Sequence, residues 1–236
     1  VSDNYSRKLL CCHGLASTAY SGVWPQFERL FTENGMPWSI LSDNGAPFAS
    51  RSLGGLSRFS KQLIDLGIRV ERTNPGHPEQ NGRHERMHRS LKAWLAGVES
   101  VREALSALQA HFDAFVKEYN EERIHEGIGG AVPSALYRPS PRAYTGRIEP
   151  YEYDSQAIIR SVRQSGEIKW RGRLVHASAL LAGEKIALLP WGDGVWELRY
   201  RFHPLGFLND RTGRIEPLTQ WREIARPETP RCKQRV

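Results

Sequence analysis

Residues 74–92 read Asn-Pro-Gly-His-Pro-Glu-Gln-Asn-Gly-Arg-His-Glu-Arg-Met-His-Arg-Ser-Leu-Lys, and this stretch decides the fold prediction. Its first half is rich in residues that form turns, namely Pro75, Gly76, Pro78 and Gly82. After Gly82 it contains neither proline nor glycine, and its basic residues recur at helical spacing. The pattern therefore predicts a turn that leads into a basic helix, with Glu85 in the first turns of that helix.

A second informative segment lies upstream, at residues 40–45. It reads Ile-Leu-Ser-Asp-Asn-Gly, the pattern of an apolar strand that ends in an exposed aspartate and a turn. Taken alone, Asp43 is better explained as ordinary turn chemistry, because Asp-Asn-Gly is common in turns. Glu85 alone would likewise be a solvated charge on a helix. Only the joint occurrence of the two segments points to a functional site.

The predicted elements up to residue 120 follow the order of an α/β domain. They are a β-like run at 5–13, a helix at 19–34, a buried strand at Trp38–Leu41, a helix at 56–66, a strand at 68–70 and an amphipathic helix at 98–120. Because strands alternate with helices, we expect a sheet covered by helices. The apolar stripe of the last helix indicates that it packs on that sheet.

The remainder of the chain has a different pattern. Residues 138–150 are rich in proline and polar side chains, which is typical of a linker. Short β-rich runs separated by glycine-containing turns follow, and they predict a small antiparallel β-barrel. The predicted organisation is a core domain at 1–137, a linker at 138–152, a barrel at 153–222 and a disordered tail at 223–236.

Composition limits the classes of function. The 236 residues carry a net charge of +7, and the isoelectric point is about 9.5, a balance that favours polyanionic partners. Apolar runs fall well short of the length that crosses a bilayer, which excludes a membrane-spanning protein. Three cysteines, two of them adjacent, cannot form a disulfide framework and favour a reducing cytoplasm.

The positive charge is concentrated in two clusters. Four basic residues against one acid lie between Arg83 and Lys92, and five against one lie between Arg160 and Arg173. Two separated clusters of this kind indicate two contact surfaces for one long anion. In the C-terminal part, aromatic residues interleave with arginines. We expect the aromatic residues to be core residues and the arginines to follow a nucleic-acid backbone; they are Trp170, Trp191, Trp196 and Tyr200, and Arg171, Arg173, Arg199 and Arg201.

The motifs together resemble those of the DDE transposase and retroviral-integrase core superfamily, in particular bacterial insertion-sequence transposases. The resemblance rests on Ser-Asp-Asn-Gly at 42–45, on His-Pro-Glu-Gln-Asn-Gly-x-x-Glu-Arg-x-His-Arg-x-Leu-Lys at 77–92, and on Tyr119-Asn120 followed by Arg123-x-His125-Glu126 and Pro133. It covers essentially residues 3–142, and the β-rich remainder resembles the small C-terminal DNA-binding domain of that group.

The resemblance implies an α/β fold, an incomplete ribonuclease-H-like integrase core followed by the small barrel. It implies metal-dependent DNA cleavage and strand transfer, with two Mg²⁺ (or Mn²⁺) ions in the intact parent enzyme. The family's second metal-binding aspartate corresponds to Asp43 and its glutamate to Glu85. The DNA-contacting residues implied by the resemblance and by the basic clusters are Asn81, Arg83, Arg86, Arg89, Lys92, Lys169, Arg171 and Arg173.

The implied partners are the transposon ends and the target DNA. Family members act as multimers on paired ends, which implies a homo-oligomer. The implied location is the bacterial cytoplasm, in association with the nucleoid, without a membrane anchor.

The family's first catalytic aspartate has no counterpart in this sequence. Asp3 belongs to an Asp-x-x-Ser-Arg motif that is structural in the family, so we do not expect it to bind metal. The resemblance therefore implies an N-terminally truncated chain that is inactive by itself. The alternatives are a DNA-binding remnant of a transposase that lacks catalysis and an unrelated hydrolase with two carboxylates, against which the basic helix argues.

Overall fold

The computed structural model describes residues 1–73, 82–96 and 105–218. The chain divides into two compact units. Unit 1 comprises Val1–Ala49 and Leu66–Ile148, and unit 2 comprises Ser50–Asp65 and the residues from Glu149 onward. The tail predicted to be disordered, 223–236, lies outside the described residues. The boundaries predicted at residues 137, 152 and 222 stay a prediction.

Unit 1 is built mainly from helices. Its elements are α1 (Tyr20–Asn34), β1 (Ser39–Ser42), β2 (Arg69–Arg72), α3 (Gly82–Leu95), α4 (Leu105–Glu121) and α5 (Pro133–Leu136). The helix predicted at 19–34 is confirmed by α1, which buries Phe27 and Leu30 on one side and stops at Gly35 with a φ of +73°. The turn-then-helix prediction for 74–92 is confirmed from Gly82 onward, and residues 74–81 lie outside the described part.

The two strands of unit 1 run parallel. Ser39 lies opposite Arg69, and Ser42 lies opposite Arg72. The strand predicted at Trp38–Leu41 is present, but the prediction that it is buried is wrong, because Trp38 is 70% and Leu41 is 49% exposed. Among the described residues β1 pairs with β2 alone. Trp38 is covered in part by the guanidinium of Arg142, 4.4 Å from the ring centroid.

The β-like run predicted at 5–13 is not a strand. The segment forms a turn and a single antiparallel bridge between Ser2 and Leu9. The physical reason is that a side chain replaces a neighbouring strand at Leu9. The Leu9 N–H donates to Asn120 Oδ1 at 2.8 Å, and Asn120 Nδ2 donates to the Leu9 carbonyl at 2.9 Å.

The core beside this segment fixes the position of α3. Leu9, Met87, Phe115 and Tyr119 form a buried apolar cluster, and Leu91 packs against it. Met87 and Leu91 are one helical turn apart, so α3 has one face on α4 and turns the other face to solvent. The predicted core role of Phe115 and Tyr119 is confirmed.

Part of the predicted linker is held firmly by unit 1. Ser140 donates its N–H to the Asn34 carbonyl at 2.8 Å, and the Met36 N–H donates to the Arg142 carbonyl at 2.7 Å. The Arg142 guanidinium donates to the carbonyls of Pro37 and Leu66. Residues 140–142 are therefore an ordered piece of unit 1.

Unit 2 is an antiparallel sheet with a separate hairpin and one helix. Its strands are β3 (Ile158–Ser161), β4 (Glu167–Trp170), β5 (Arg173–His176), β6 (Lys185–Gly192), β7 (Val195–Tyr200), β8 (His203–Asn209) and β9 (Arg214–Glu216). The five-stranded sheet has the order β3-β6-β7-β8-β9, and β4 pairs only with β5 among the described strands. The sequence predicted a small antiparallel barrel. The described strands form an antiparallel sheet with β3 and β9 at its edges, and their hydrogen-bonded pairing does not close it into a barrel.

Helix α2 (Arg58–Asp65) groups with unit 2, although β1 and β2 flank it in the chain. Asp65, 5% exposed, accepts hydrogen bonds from Tyr200 Oη at 2.5 Å and from Lys61 Nζ at 2.9 Å. Lys61 also donates to Glu184 at 2.7 Å. Burial by itself lowers the pKa of Lys61, but the hydrogen bonds to Glu184 and Asp65 raise it above its ordinary value. None of the described helices is long and apolar enough to cross a bilayer.

Candidate functional site

Asp43 follows directly after β1, in an exposed turn. Its Oδ1 accepts the N–H of Gly45 at 3.0 Å, which closes the turn that the sequence predicted. The next residue, Asn44, donates from Nδ2 to the carbonyl of Thr73 at 2.9 Å. Because β1 and β2 are parallel, their carboxyl ends lie at the same edge, and Asn44 ties the Asp43 turn to the end of β2.

Glu85 lies in the first turn of α3, and its side chain is exposed. The helix cannot rotate freely about its axis, because Met87 and Leu91 are fixed in the core cluster with Phe115. The N-terminal end of a helix carries partial positive charge, which favours a carboxylate there. Glu85 is thus presented to solvent from a rigid element.

His84 precedes Glu85 in the chain, and the charge of Asp43 acts on it. Burial, the neighbouring His88 and the N-terminal ammonium lower the pKa of His84 to about 4, while the charge of Asp43 acts in the opposite direction. Asp43 is therefore within electrostatic range of the residue that precedes Glu85. The rings of His84 and His88 are 4.3 Å apart in an edge-to-face arrangement. At neutral pH this pKa leaves His84 uncharged.

The donor chemistry of the site fits a hard divalent cation only in part. Carboxylate oxygens are the ligands that Mg²⁺ prefers in proteins, and Asp43 and Glu85 offer them from rigid elements. Within the described ranges, no group of three or more His, Cys, Asp or Glu side chains could hold a metal ion. Asp43 and Glu85 are therefore of the chemical type that binds a divalent cation. The predicted pair of ions stays a prediction.

Asp3 has the structural role that the sequence predicted for it. Its Oδ2 accepts both the N–H and the Oγ–H of Ser6, each at 2.7 Å. These bonds close the turn in which Arg7 has a φ of +69°. The carboxylate of Asp3 therefore stabilises its own turn.

The predicted DNA-contacting residues of α3 lie on its exposed side where the structure describes them. Arg86, Arg89 and Lys92 are exposed. Glu85, Arg89 and Lys92 follow one another at intervals of four and three residues, which places them on one helix face. Asn81 and the side chain of Arg83 lie outside the described residues.

The predicted residues of unit 2 come together on one hairpin. Lys169, Arg171 and Arg173 belong to β4, the turn and β5, and all three are exposed. By contrast, Arg199 and Arg201 have internal partners: Arg199 pairs with Glu197 at 2.7 Å, and Arg201 lies 3.4 Å from Asp65. Of the four aromatic residues predicted as core, Trp170 and Tyr200 are buried, Trp196 is half-buried and Trp191 is 37% exposed.

Sequence reasoning missed two polar residues that organise these surfaces. Asp210 accepts hydrogen bonds from the indoles of Trp170 and Trp196, and Asn120 holds Leu9 as described above. The only sequence signal for Asn120 is its place in the Tyr119-Asn120 motif. Asp210 gives no such signal, because its partners lie 40 and 14 residues away in the chain.

Comparison with known proteins gives matches to solved structures and to one family model. Two of the solved structures that resemble this chain are viral integrase structures. The catalytic core domain of BIV integrase matches at 25% identity over 52% of this chain and 73% of its own length, with a TM-score of 0.40. A chain of the simian T-cell lymphotropic virus intasome in complex with PP2A regulatory subunit B56 gamma matches at 14% identity over 84% of this chain and 66% of its own length, with a TM-score of 0.42.

The family comparison is the more specific one. Residues 66–133 match the family model of the integrase core domain. The matched range begins just before β2, contains Glu85 and the Tyr119-Asn120 motif, and leaves Asp43 outside. The match to the integrase core domain family is therefore carried by residues 66–133 of this chain.

Proposed function

We propose that this chain acts in DNA cleavage and strand transfer as part of an insertion-sequence transposase. An integrase core domain implies a function in DNA integration or transposition. The observation that carries the finer proposal is Glu85, which lies inside the matched range and is exposed in the first turn of a helix whose other face is buried. Asp43 supports it, because its exposed carboxylate lies within electrostatic range of His84.

In this proposal Asp43 and Glu85 hold a divalent cation, Mg²⁺ or Mn²⁺. A bound cation of this kind neutralises charge that develops on the phosphate and activates the attacking oxygen. Asn44 keeps the Asp43 turn against the end of β2, so the carboxylate does not have to be ordered when the substrate binds. His84 is uncharged near pH 7 and adds no positive charge that would compete for the carboxylates.

Basic residues of both units contact DNA in the same proposal. On α3 they are Arg86, Arg89 and Lys92. The sequence adds Asn81, which lies outside the described residues, and Arg83, whose side chain does. In unit 2 they are Lys169, Arg171 and Arg173. Long basic side chains on exposed faces bind phosphates and release counterions, so affinity should fall steeply with salt. The substrates are the transposon ends and the target, bound by a homo-oligomer.

We also propose that unit 2 is a small barrel. The β4–β5 hairpin lies next to both edges of the open sheet, since β4 neighbours β3 and β5 neighbours β9. A hairpin in this position supplies two further strands that would close the sheet into a barrel.

The test uses the full product of the gene, whatever it adds to these 236 residues. Supercoiled plasmid is incubated with Mg²⁺ or Mn²⁺, and nicking and strand transfer are measured beside DNA binding. We expect Asp43→Asn and Glu85→Gln to reduce both reactions to background while DNA binding is kept. Glu121→Gln is the matched control, because Glu121 is an exposed carboxylate at the end of α4 and its change alters the net charge equally.

The same experiment distinguishes the second candidate, a DNA-binding protein without catalysis. Wild-type protein that binds DNA but never nicks it, with either cation, would favour that alternative. Nicking that survives Glu85→Gln would exclude Glu85 from the site, and with it the proposed reaction.

A further inference from the structure

The first turns of α3 carry two histidines that are one helical turn apart. Residues 84–88 read His-Glu-Arg-Met-His and lie inside α3. Side chains at positions i and i+4 of a helix lie on the same face, with Cβ atoms about 5–6 Å apart. The motif at 77–92 that carries the integrase-core resemblance includes His88 but leaves position 84 open. The pair of imidazoles is therefore a separate feature of this chain.

The arrangement of the two rings suits a shared metal ion. Their centroids are 4.3 Å apart, and their planes are inclined at 66°. Two imidazoles bound to one Zn²⁺ at about 2.0–2.1 Å, with an angle of about 90–110° at the metal, have ring centroids roughly 4.5–5.2 Å apart. His84 is half-buried and His88 is exposed, so a small rotation of the His88 side chain supplies the difference.

The charges around the pair act in both directions. Glu85 follows His84 in the chain, and Asp43 lies within electrostatic range of His84. Both carboxylates attract a cation to this place. Lys92 lies within electrostatic range of His88 and opposes a cation. We therefore expect a moderate affinity, well below that of structural zinc sites with four protein ligands.

The pattern His-Glu-x-x-His on a helix is a known zinc-binding arrangement, in which both histidines bind the ion and the glutamate is a general base. Catalytic zinc sites have three protein ligands. In the parts of the chain that the structure describes, no third His, Cys, Asp or Glu completes a group with these two. The described residues thus support binding of an ion, with water in its remaining positions, and carry no inference about zinc-dependent hydrolysis.

We infer that His84 and His88 form a binding site for a Zn²⁺ ion, named the two-histidine site. Imidazole nitrogen is a good ligand for divalent transition ions, whereas Mg²⁺ prefers oxygen. The two-histidine site is therefore chemically distinct from the carboxylates of Asp43 and Glu85. An ion bound there adds positive charge next to Glu85, so it opposes by repulsion a Mg²⁺ ion at the two carboxylates. This last consequence rests on the function proposed above.

Isothermal titration calorimetry with Zn²⁺ tests the site, in buffer with a large excess of Mg²⁺ that occupies oxygen ligands. We expect wild-type affinity to fall at least about 10-fold in His84→Ala and in His88→Ala, because the second imidazole of a chelate binds intramolecularly. The double variant should bind Zn²⁺ no more weakly than either single variant. Two histidines that each keep their zinc after the other is removed would not form a chelate, and this result would overturn the inference.

Two controls accompany the titration. His176→Ala removes an exposed imidazole at the end of β5 and should leave the affinity unchanged. Cys11 and Cys12 are adjacent free thiols, which also attract Zn²⁺. Binding that is lost in Cys11→Ser with Cys12→Ser, and kept in both histidine variants, would assign the ion to the thiols and overturn the inference. Since His88 is exposed, His88→Ala decides the site if His84→Ala does not fold.

Plasmid nicking by the full gene product with Mg²⁺ tests the opposition between the two sites. Added Zn²⁺ should inhibit wild-type nicking at the concentrations that fill the two-histidine site in calorimetry. Relative to its own activity without Zn²⁺, His88→Ala should need correspondingly more Zn²⁺ for the same inhibition. Equal inhibition of both proteins would overturn the opposition. A gene product that never nicks DNA would remove the proposed function, whereas the calorimetric result decides the two-histidine site in either case.

Discussion

The side-chain amide of Asn120 makes the two hydrogen bonds to Leu9 that a neighbouring β-strand would otherwise make. It bonds the N–H of Leu9 at 2.8 Å and the carbonyl of Leu9 at 2.9 Å. Both residues are buried, at 4% and 2% exposure. Leu9 belongs to the same apolar cluster as Met87 of α3. The helix that presents Glu85 is therefore supported, through Leu9, by a polar residue on α4.

Asn120→Ala should destabilise the protein by about 2–4 kcal/mol, because two hydrogen bonds are lost and two buried backbone groups are left without partners. Urea unfolding followed by tryptophan fluorescence measures the change, and Trp94, whose ring meets Phe115 edge to face, contributes to that signal. Glu121→Ala, at the next and exposed position, is the control and should change stability little. A loss below about 1 kcal/mol for Asn120→Ala would contradict the support role.

Asn44→Ala should lower DNA cleavage by the full gene product about 10- to 100-fold while DNA binding is kept, because a small misplacement of a catalytic group has effects of this size. The change removes the bond from Nδ2 to the Thr73 carbonyl and leaves the Asp43 carboxylate in place. The measurement is the rate of plasmid nicking at saturating protein. Full activity of Asn44→Ala would show that cleavage does not depend on the hydrogen bond between Asn44 and Thr73.

Asp65 and Tyr200 should be energetically coupled across unit 2. Their hydrogen bond is 2.5 Å long and buried, and burial followed by the Asp65 contact raises the pKa of Tyr200 above its ordinary value. A double-mutant cycle with Asp65→Asn and Tyr200→Phe should give a coupling free energy of about 0.5–3 kcal/mol. Additive effects of the two changes would mean that the Asp65–Tyr200 hydrogen bond does not hold α2 in place.

The same contact predicts the outcome of limited proteolysis. A fragment that starts at Glu149 lacks α2 and leaves the Tyr200 hydroxyl without its partner. We expect such a fragment to be degraded further, whereas a complex that retains residues 50–65 should persist. A stable C-terminal fragment without those residues would contradict this expectation.

Acid should weaken unit 2 through Asp210. Burial by itself raises the pKa of this carboxyl, but the Trp170 and Trp196 N–H groups and the charge of Arg171 hold it below its ordinary value of 3.8. The unfolded chain then binds the proton first as pH falls. The stabilisation is therefore fully present above about pH 5 and is lost as pH falls below 3.8 through the folded value.

The check is acid unfolding of Asp210→Asn beside wild type. The stability difference between the two should be constant from neutral pH to about pH 5 and should shrink at lower pH. Asp193→Asn, which removes the same charge from an exposed aspartate in the turn between β6 and β7, is the control. A stability difference that stays constant down to pH 3 would show that protonation of Asp210 does not cause the acid weakening of unit 2.

The sequence predicted what is encoded locally. The apolar spacing of α1 and the lack of proline and glycine after Gly82 in α3 are short-range signals, and Glu85 lies in the first turn of the helix, as the motif predicted. Burial of Trp38 and Leu41 was predicted wrongly, because burial depends on neighbours that the strand itself does not specify. The open arrangement of the C-terminal strands, and the grouping of α2 with them, depends on contacts such as Asp65 with Tyr200, 135 residues apart. Asp210 was missed for the same reason.

The path of the chain between Asp43 and Glu85 has a thermodynamic consequence. That path runs through residues 50–65, which fold as part of unit 2, and returns to unit 1 at Leu66. When unit 2 is folded, the connection between β1 and β2 is ordered, whereas its unfolding would turn the connection into a free loop with a closure entropy of its own. Any ligand that binds folded unit 2 therefore also stabilises, by linkage, residues 50–65, which lie between Asp43 and Glu85 in the chain.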